Sequence, residues 1–235
     1  MHKILEGYRR FKANVFEARP EYFERLARKQ QRPQALFITC SDSRIDPCLL
    51  TQTEPGDLFI LRNAGNIVPP YSTTAGASTA AIEYAVSVLK VPSVILCGHS
   101  HCGAMGALLD PDAVRDLPAV SAWVAHAECT RRIMQTKHAA APAEHRPILA
   151  VYENVLAQLA NLRTHPSVAA GLAQGTLHLY GWVYFIETGE IEAYDAAAGR
   201  FVSLSETYPS PLPVETRLET DGEVLAPHGR DGEVS

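Results

Sequence analysis

Four short apolar runs constrain this chain more than any other feature: "ALFITC" (35–40), "DLFILRNAG" (57–65), "SVILCGH" (93–99) and "LHLYGWVYFI" (177–186). Each is nearly continuous in hydrophobic residues rather than alternating, which is the mark of strands buried on both faces. Between them lie segments with helical spacing of apolar residues: 75–91, 118–135 and 153–164. Strand and helix in alternation call for a parallel sheet covered by helices. The last run continues through "ETGE" (187–190) into "IEAYDAAAGRFVSL" (191–204), a hairpin that adds an antiparallel edge strand. The expected fold is therefore α/β: a mostly parallel central sheet, about four parallel strands plus one antiparallel edge strand, covered by helices.

The two ends read differently. Ile4, Leu5, Tyr8, Phe11 and Val15 fall at helical spacing, "ARPE" (18–21) interrupts, and Tyr22, Phe23 and Leu26 resume the pattern. Residues 1–30 are thus an N-terminal helical arm, whose apolar stripe must be buried on a neighbouring subunit or on its own domain. Residues 31–208 form the α/β domain, and 209–235 an acidic, proline-rich tail. With 235 residues and 46% hydrophobic content the chain suits one core. Its net charge of −5 argues against nucleic-acid and polybasic membrane roles. The start carries scattered charges without an apolar signal region, and no run reaches the ~18 apolar residues of a membrane span. A soluble, cytoplasmic protein is expected. Five cysteines, an odd number, are poor material for a disulfide framework and suit metal binding or burial.

In an open α/β sheet, chemistry gathers at the carboxyl ends of the strands. There "ITCSDSRIDP" (38–47) puts Cys40, Asp42 and Arg44 at every second position, and so on one side of an extended segment. A second strand ends in "SVILCGHSHC" (93–102), with His99 closing it and Cys102 at the start of the helical "CGAMGALL". A helix N-terminus lowers a thiol's pKa, which suits Cys102 to be a thiolate. Two thiolates and one imidazole fit Zn²⁺ with a fourth position for water, the arrangement of catalytic sites; Asp42 as a fourth ligand would close it. Spacing alone leaves His101 as an alternative to His99. Arg44, two residues after Asp42, is best explained by a carboxylate partner. Cys97 reads as a small core hydrophobe, and Cys48 and Cys129 as packing residues.

"CSDSR" (40–44) followed by "GHSHCG" (98–103), with "PGDLFILRNAGN" (55–66) and "AAIEYAV" (80–86) between, resembles the signature of the β-class carbonic anhydrases. The likeness runs from about residue 31 through the "GWVY" strand. It implies one Zn²⁺ per subunit on Cys40, His99 and Cys102, with Asp42 and Arg44 as a catalytic dyad. It implies reversible hydration of CO₂ to bicarbonate and a proton, by attack of a zinc-bound hydroxide that the dyad orients. Gln31, Phe59, Ala64, Tyr84 and Gly103 fall at substrate-binding positions, part of them supplied by a partner subunit. The minimal unit implied is a homodimer, with tetramers or larger assemblies formed from it. Arg62 and Tyr184 match two members of a non-catalytic bicarbonate pocket, but Phe37 stands where that pocket has a tryptophan, so a constitutively open site is expected.

The same resemblance covers enzymes that hydrolyse CS₂ or COS, and a non-catalytic zinc-containing binding module is the third reading. "RIDP", "TQTEPGDLF" and "RNAGNIVPP" look most like the carboxysome-associated bacterial branch. On that likeness the tail would contact a shell or scaffold protein, and the protein would reside in the carboxysome.

Overall fold

The computed structural model describes residues 1–73 and 76–207, so the expected tail lies outside the described residues. A six-stranded sheet organises the chain, with strand order β2-β1-β3-β4-β5-β6. Its strands are β1 (Ala35–Cys40), β2 (Leu58–Asn63), β3 (Ser93–His99), β4 (His178–Tyr184), β5 (Ile191–Asp195) and β6 (Arg200–Ser203). The first four run parallel. Instead of one antiparallel edge strand there are two, because a second turn at Asp195–Arg200 folds β6 back onto β5. The Asp195 carboxylate accepts the Ala197 and Ala198 amides and pins that turn.

The helices are α1 (His2–Phe11), α2 (Pro20–Arg28), α3 (Pro47–Thr51), α4 (Ala77–Glu83), α5 (Gly103–Leu109), α6 (Pro118–Val124), α7 (Glu128–Thr136), α8 (Arg146–Leu162), α9 (Pro166–Ala173) and α10 (Leu204–Thr207). The single helix expected over 118–135 is divided at a 3-10 turn, Ala125–Ala127. Val124, Ala127 and Thr130 are all buried at steps of three. A 3-10 turn keeps residues three apart on one face, whereas a continuous α-helix would rotate them off it. Helix α8 begins seven residues earlier than its expected start at Glu153, with Pro147 in its first turn, where a proline costs no hydrogen bond.

Side chains alternate across β1. Leu36, Ile38 and Cys40 enter the main core, with Val94 and Leu96 of β3, Met105 and Leu108 of α5, and Val151 and Val155 of α8. Helix α8 lies close on the sheet because β3 has Gly98 there: a Cβ at that position would come within 2.8 Å of Val151 and 3.0 Å of Val155. Phe37 points to the other face with Ile45 and Cys97, edge-on to Trp182 at 6.1 Å. Along that face the register sets Ile60, Phe37, Ile95 and Tyr180 side by side, and Ile60 and Tyr180 at its margins are exposed.

The arm does not bury its stripe on its own domain. Neither α1 nor α2 has a buried residue, and Ile4, Leu5, Tyr8, Phe11 and Val15 are all exposed. The arm touches the domain through the Arg19–Glu54 ion pair and the Tyr22 hydroxyl, which donates to the Pro55 carbonyl at 3.1 Å.

Candidate metal centre

Strand β1 connects to β2 on one side of it, while β3 pairs on the other, so the chain order reverses between β1 and β3. A crevice at the carboxyl ends of such a pair is where an open α/β sheet takes its ligand. Cys40 ends β1, His99 ends β3, and Cys102 caps the N-terminus of α5. Their Cys Sγ and His nitrogen atoms lie within 4.8 Å of one another, and all three residues are buried. The choice between His99 and His101 resolves in favour of His99: His101 is two-thirds exposed and its Nε2 is turned to Glu187 at 3.6 Å.

The donor chemistry fits a cation. His99 Nδ1 lies 2.8 Å from the Ser100 carbonyl, which makes it the protonated nitrogen and leaves the Nε2 lone pair aimed at the sulfurs. Among the described residues, His99 Nε2 and Asn66 Nδ2 are the two buried side-chain polar atoms without a partner. The Cys40 thiol's pKa is pulled down, first because the Cys102 thiol donates to it, and further by His99 and by the Gly65 and Asp42 amides. Those amide nitrogens stand 3.3 and 3.4 Å from Cys40 Sγ. Cys102 is pushed up, as the donor to Cys40 and by burial. One proton is shared between the two sulfurs. A divalent, borderline-soft metal held there would take the place of that proton and let both sulfurs ionise.

Asp42 stands at the mouth. Its Oδ2 is 3.9 Å from His99 Nε2 and receives Arg44 Nη2 at 2.7 Å; Oδ1 receives Arg44 Nε at 3.0 Å and the Arg44 amide at 2.9 Å. This bidentate grip holds the Asp42 carboxyl well below the usual carboxylate range. Arg44 Nη2 also donates to the His101 carbonyl, tying the pair to the loop between His99 and Cys102.

Arg62 reaches the same segment from the neighbouring strand. From β2 its guanidinium donates to the carbonyls of Cys40 (2.9 Å), Asp42 (2.6 Å) and Ile45 (2.9 Å), so it clamps the whole "CSDSR" segment. Its position in a bicarbonate pocket was the expectation; here both its Nε and Nη2 are committed to main chain. No pattern in the sequence signals such side-chain-to-carbonyl bonds.

The expected substrate-binding residues divide into two groups. Ala64 and Gly103 adjoin the ligands: Ala64 follows β2 beside Cys40, and Gly103 opens α5 after Cys102. Gln31, Phe59 and Tyr84 do not converge with them in one chain. Phe59 pairs with Leu36, four residues and roughly 13 Å up the strand from the Cys40–Asn63 pair, and contacts Tyr84 at 6.0 Å. Gln31 precedes β1 and lines a cleft with Tyr22, Arg25 and Asp57, beyond the opposite end of the strand. Of the remaining cysteines, Cys97 is buried with its thiol pushed up by desolvation. Cys129 is exposed rather than packed, being on the outer side of α7. All five are free thiols.

Comparison with known proteins gives a consistent result. The family model described as "Carbonic anhydrase" matches residues 35–191. A carbonic anhydrase of Pseudomonas aeruginosa is 53% identical, covering 88% of this chain and 93% of its own length. Among solved structures, the beta-carbonic anhydrase CcaA superposes with a TM-score of 0.84 at 46% identity, covering 86% of this chain and 98% of that one. One of two tetrameric beta-carbonic anhydrases from Sordaria macrospora superposes at 0.75 with 31% identity, covering 83% and 96%.

Proposed function

Because this chain belongs to the β-class carbonic anhydrases and is a carbonate dehydratase, we propose that its reversible hydration of CO₂ runs on a zinc ion held by Cys40, His99 and Cys102, with Asp42 and Arg44 as the working dyad. The carrying observation is the convergence of two buried sulfurs and one orphaned imidazole nitrogen within 4.8 Å at the sheet's switch point, beside a carboxylate held by an arginine.

Zinc held there would supply Lewis acidity and make a coordinated water more acidic, less so than on three neutral histidines because two thiolates offset its charge. The chain does the rest. Asp42 accepts the nucleophile's hydrogen and so directs an oxygen lone pair towards CO₂. Arg44 keeps that carboxylate ionised and turned outward, which supports an open site, and Arg62 holds the segment bearing both. Ala64 and Gly103 contribute the near wall for an apolar, linear substrate.

Gln31, Phe59 and Tyr84 complete the pocket of a neighbouring subunit rather than their own. The uncovered stripe of the arm and the exposed Ile60 and Tyr180 support a dimer as the working unit, and tetrameric relatives are consistent with dimers assembling further. Among the described residues no helix is long and apolar enough to cross a membrane.

Stopped-flow CO₂ hydration on zinc-quantified protein tests the reading. One zinc per chain is expected, with turnover lost together with the metal in Cys40→Ser. Full zinc occupancy without hydration would sink it and direct attention to CS₂ and COS.

A further inference from the structure

After Asn63 the sheet ladder ends, yet the next three residues, the tight turn Ala64–Asn66, place one amide on a metal-ligating sulfur: Gly65 N–H donates to Cys40 Sγ at 3.3 Å. No strand neighbour fixes that amide. Side chains from other elements do so instead. Trp123 Nε1 of α6 donates to the Ala64 carbonyl at 2.8 Å, and Asn154 Nδ2 of α8 donates to the Gly65 carbonyl at 3.0 Å. Asn154 is buried, and its own oxygen accepts from Gln158 Nε2 at 2.9 Å, so its amide cannot turn over without losing both bonds. On the far side the turn has no slack: Gly65 has φ +77°, and a Cβ there would lie 2.8 Å from Ala104 Cβ, two residues beyond Cys102.

We infer that Asn154 and Trp123 are positioning residues of the metal centre, which hold the Ala64–Gly65 turn so that the Gly65 amide stays on the Cys40 sulfur. An amide on a thiolate withdraws electron density and tunes the sulfur as a ligand, and groups that orient such partners affect the metal without touching it. The inference rests on the zinc reading above and goes beyond it in naming what sets the character of one thiolate.

The test is the absorption spectrum of the cobalt-substituted full chain, in which the thiolate-to-metal charge-transfer band reports sulfur donor strength directly. Asn154→Ala is expected to move that band to longer wavelength, because a thiolate relieved of its amide gives up charge more readily. Trp123→Phe keeps an aromatic ring, removes the Nε1 donor, and is expected to move it the same way by less. Tyr152→Phe, also on α8 but donating its hydroxyl to Glu192 of β5, is expected to leave it in place. An unmoved band in Asn154→Ala overturns the inference, as does an equal shift in Tyr152→Phe, which would mean general loosening. Should Asn154→Ala not fold, Trp123→Phe decides by the same criterion. Failure of the unsubstituted chain to give any thiolate–cobalt band would instead sink the metal reading itself.

Discussion

Arg44 meets the Asp42 carboxylate side-on, with Nε on Oδ1 at 3.0 Å and Nη2 on Oδ2 at 2.7 Å, and the same Oδ2 lies 3.9 Å from His99 Nε2. That places the pair beside Cys40, His99 and Cys102, the group that could hold a metal. Asp42→Asn keeps the shape but loses the negative charge and turns one acceptor oxygen into a donor. It is expected to retain one zinc and lose at least ~100-fold in kcat/KM, the usual scale of a positioned proton acceptor. Metal analysis alongside hydration kinetics checks both halves; loss of zinc from this variant would mean that Asp42 serves binding.

Arg62 should behave differently. Arg62→Lys keeps the charge but lacks the fork that spans the Cys40, Asp42 and Ile45 carbonyls. Zinc release to an excess of chelator is expected to quicken by about tenfold, equivalent to about 1.4 kcal/mol, the net worth of one or two such bonds. An unchanged release rate would remove Arg62 from the site's support.

Gly65→Ala introduces a Cβ where φ is +77° and Ala104 Cβ is 2.8 Å away. The combined strain and overlap should cost about 2–4 kcal/mol of unfolding free energy. Urea denaturation of the zinc-loaded protein measures it, and the metal content of the purified variant should fall with it.

Away from the site, the Glu153 carboxylate accepts Lys137 Nζ and His138 Nε2, each at 2.7 Å. Burial opposes its ionisation, but the two donors prevail and hold its pKa below the ordinary value. A carboxyl depressed in the folded state stabilises fully above its unfolded pKa of about 4.3, and that contribution is lost as pH falls through the lower folded value. Glu153→Gln is therefore expected to be less stable than the parent chain at pH 7 by about 1–2 kcal/mol, the solvated Lys137 adding little. The deficit should narrow below about pH 4. Denaturant midpoints at pH 7, 5 and 3.5 follow it; a constant deficit would show that shape rather than charge is at stake.

Deleting residues 1–30 should leave the α/β domain folded but monomeric by light scattering, and poorly active although its zinc ligands are intact. The deletion uncovers no core, since neither arm helix has a buried residue. A truncated chain that still dimerises and turns over CO₂ at the full rate would place the subunit contact elsewhere.

The strands β1 and β3 could be read to their end residues because "ALFITC" and "SVILCGH" are buried on both faces, and burial is what an apolar run records. Cys40, His99 and Cys102 were legible for a related reason: unusual residue types at strand ends have few other uses. The break at Ala125–Ala127 was not, because a shift from 3.6 to three residues per turn alters which face is buried without altering composition. Gln31, Phe59 and Tyr84 came from resemblance, and nothing in one chain's geometry gathers them at its own metal centre. Asn154 and Gln158 left no trace, and Arg62 only its match to a bicarbonate pocket, since a polar residue that bonds a carbonyl looks the same in sequence as one that faces water.

Helix α8 carries a polar stripe in which Gln158 accepts the Val68 amide, Asn161 donates to the Val68 carbonyl and Asn154 holds Gly65, so it serves chain 65–68 in place of a missing strand. A designer regularising this fold by hydrophobic patterning would exchange those three amides for leucines. The redesigned helix would have stronger propensity and a more apolar core, and the loop would have nothing to hold it. Stability gained along that helix would be paid for in catalytic competence, and a scaffold trimmed to pattern rules would fold well and bind its metal poorly.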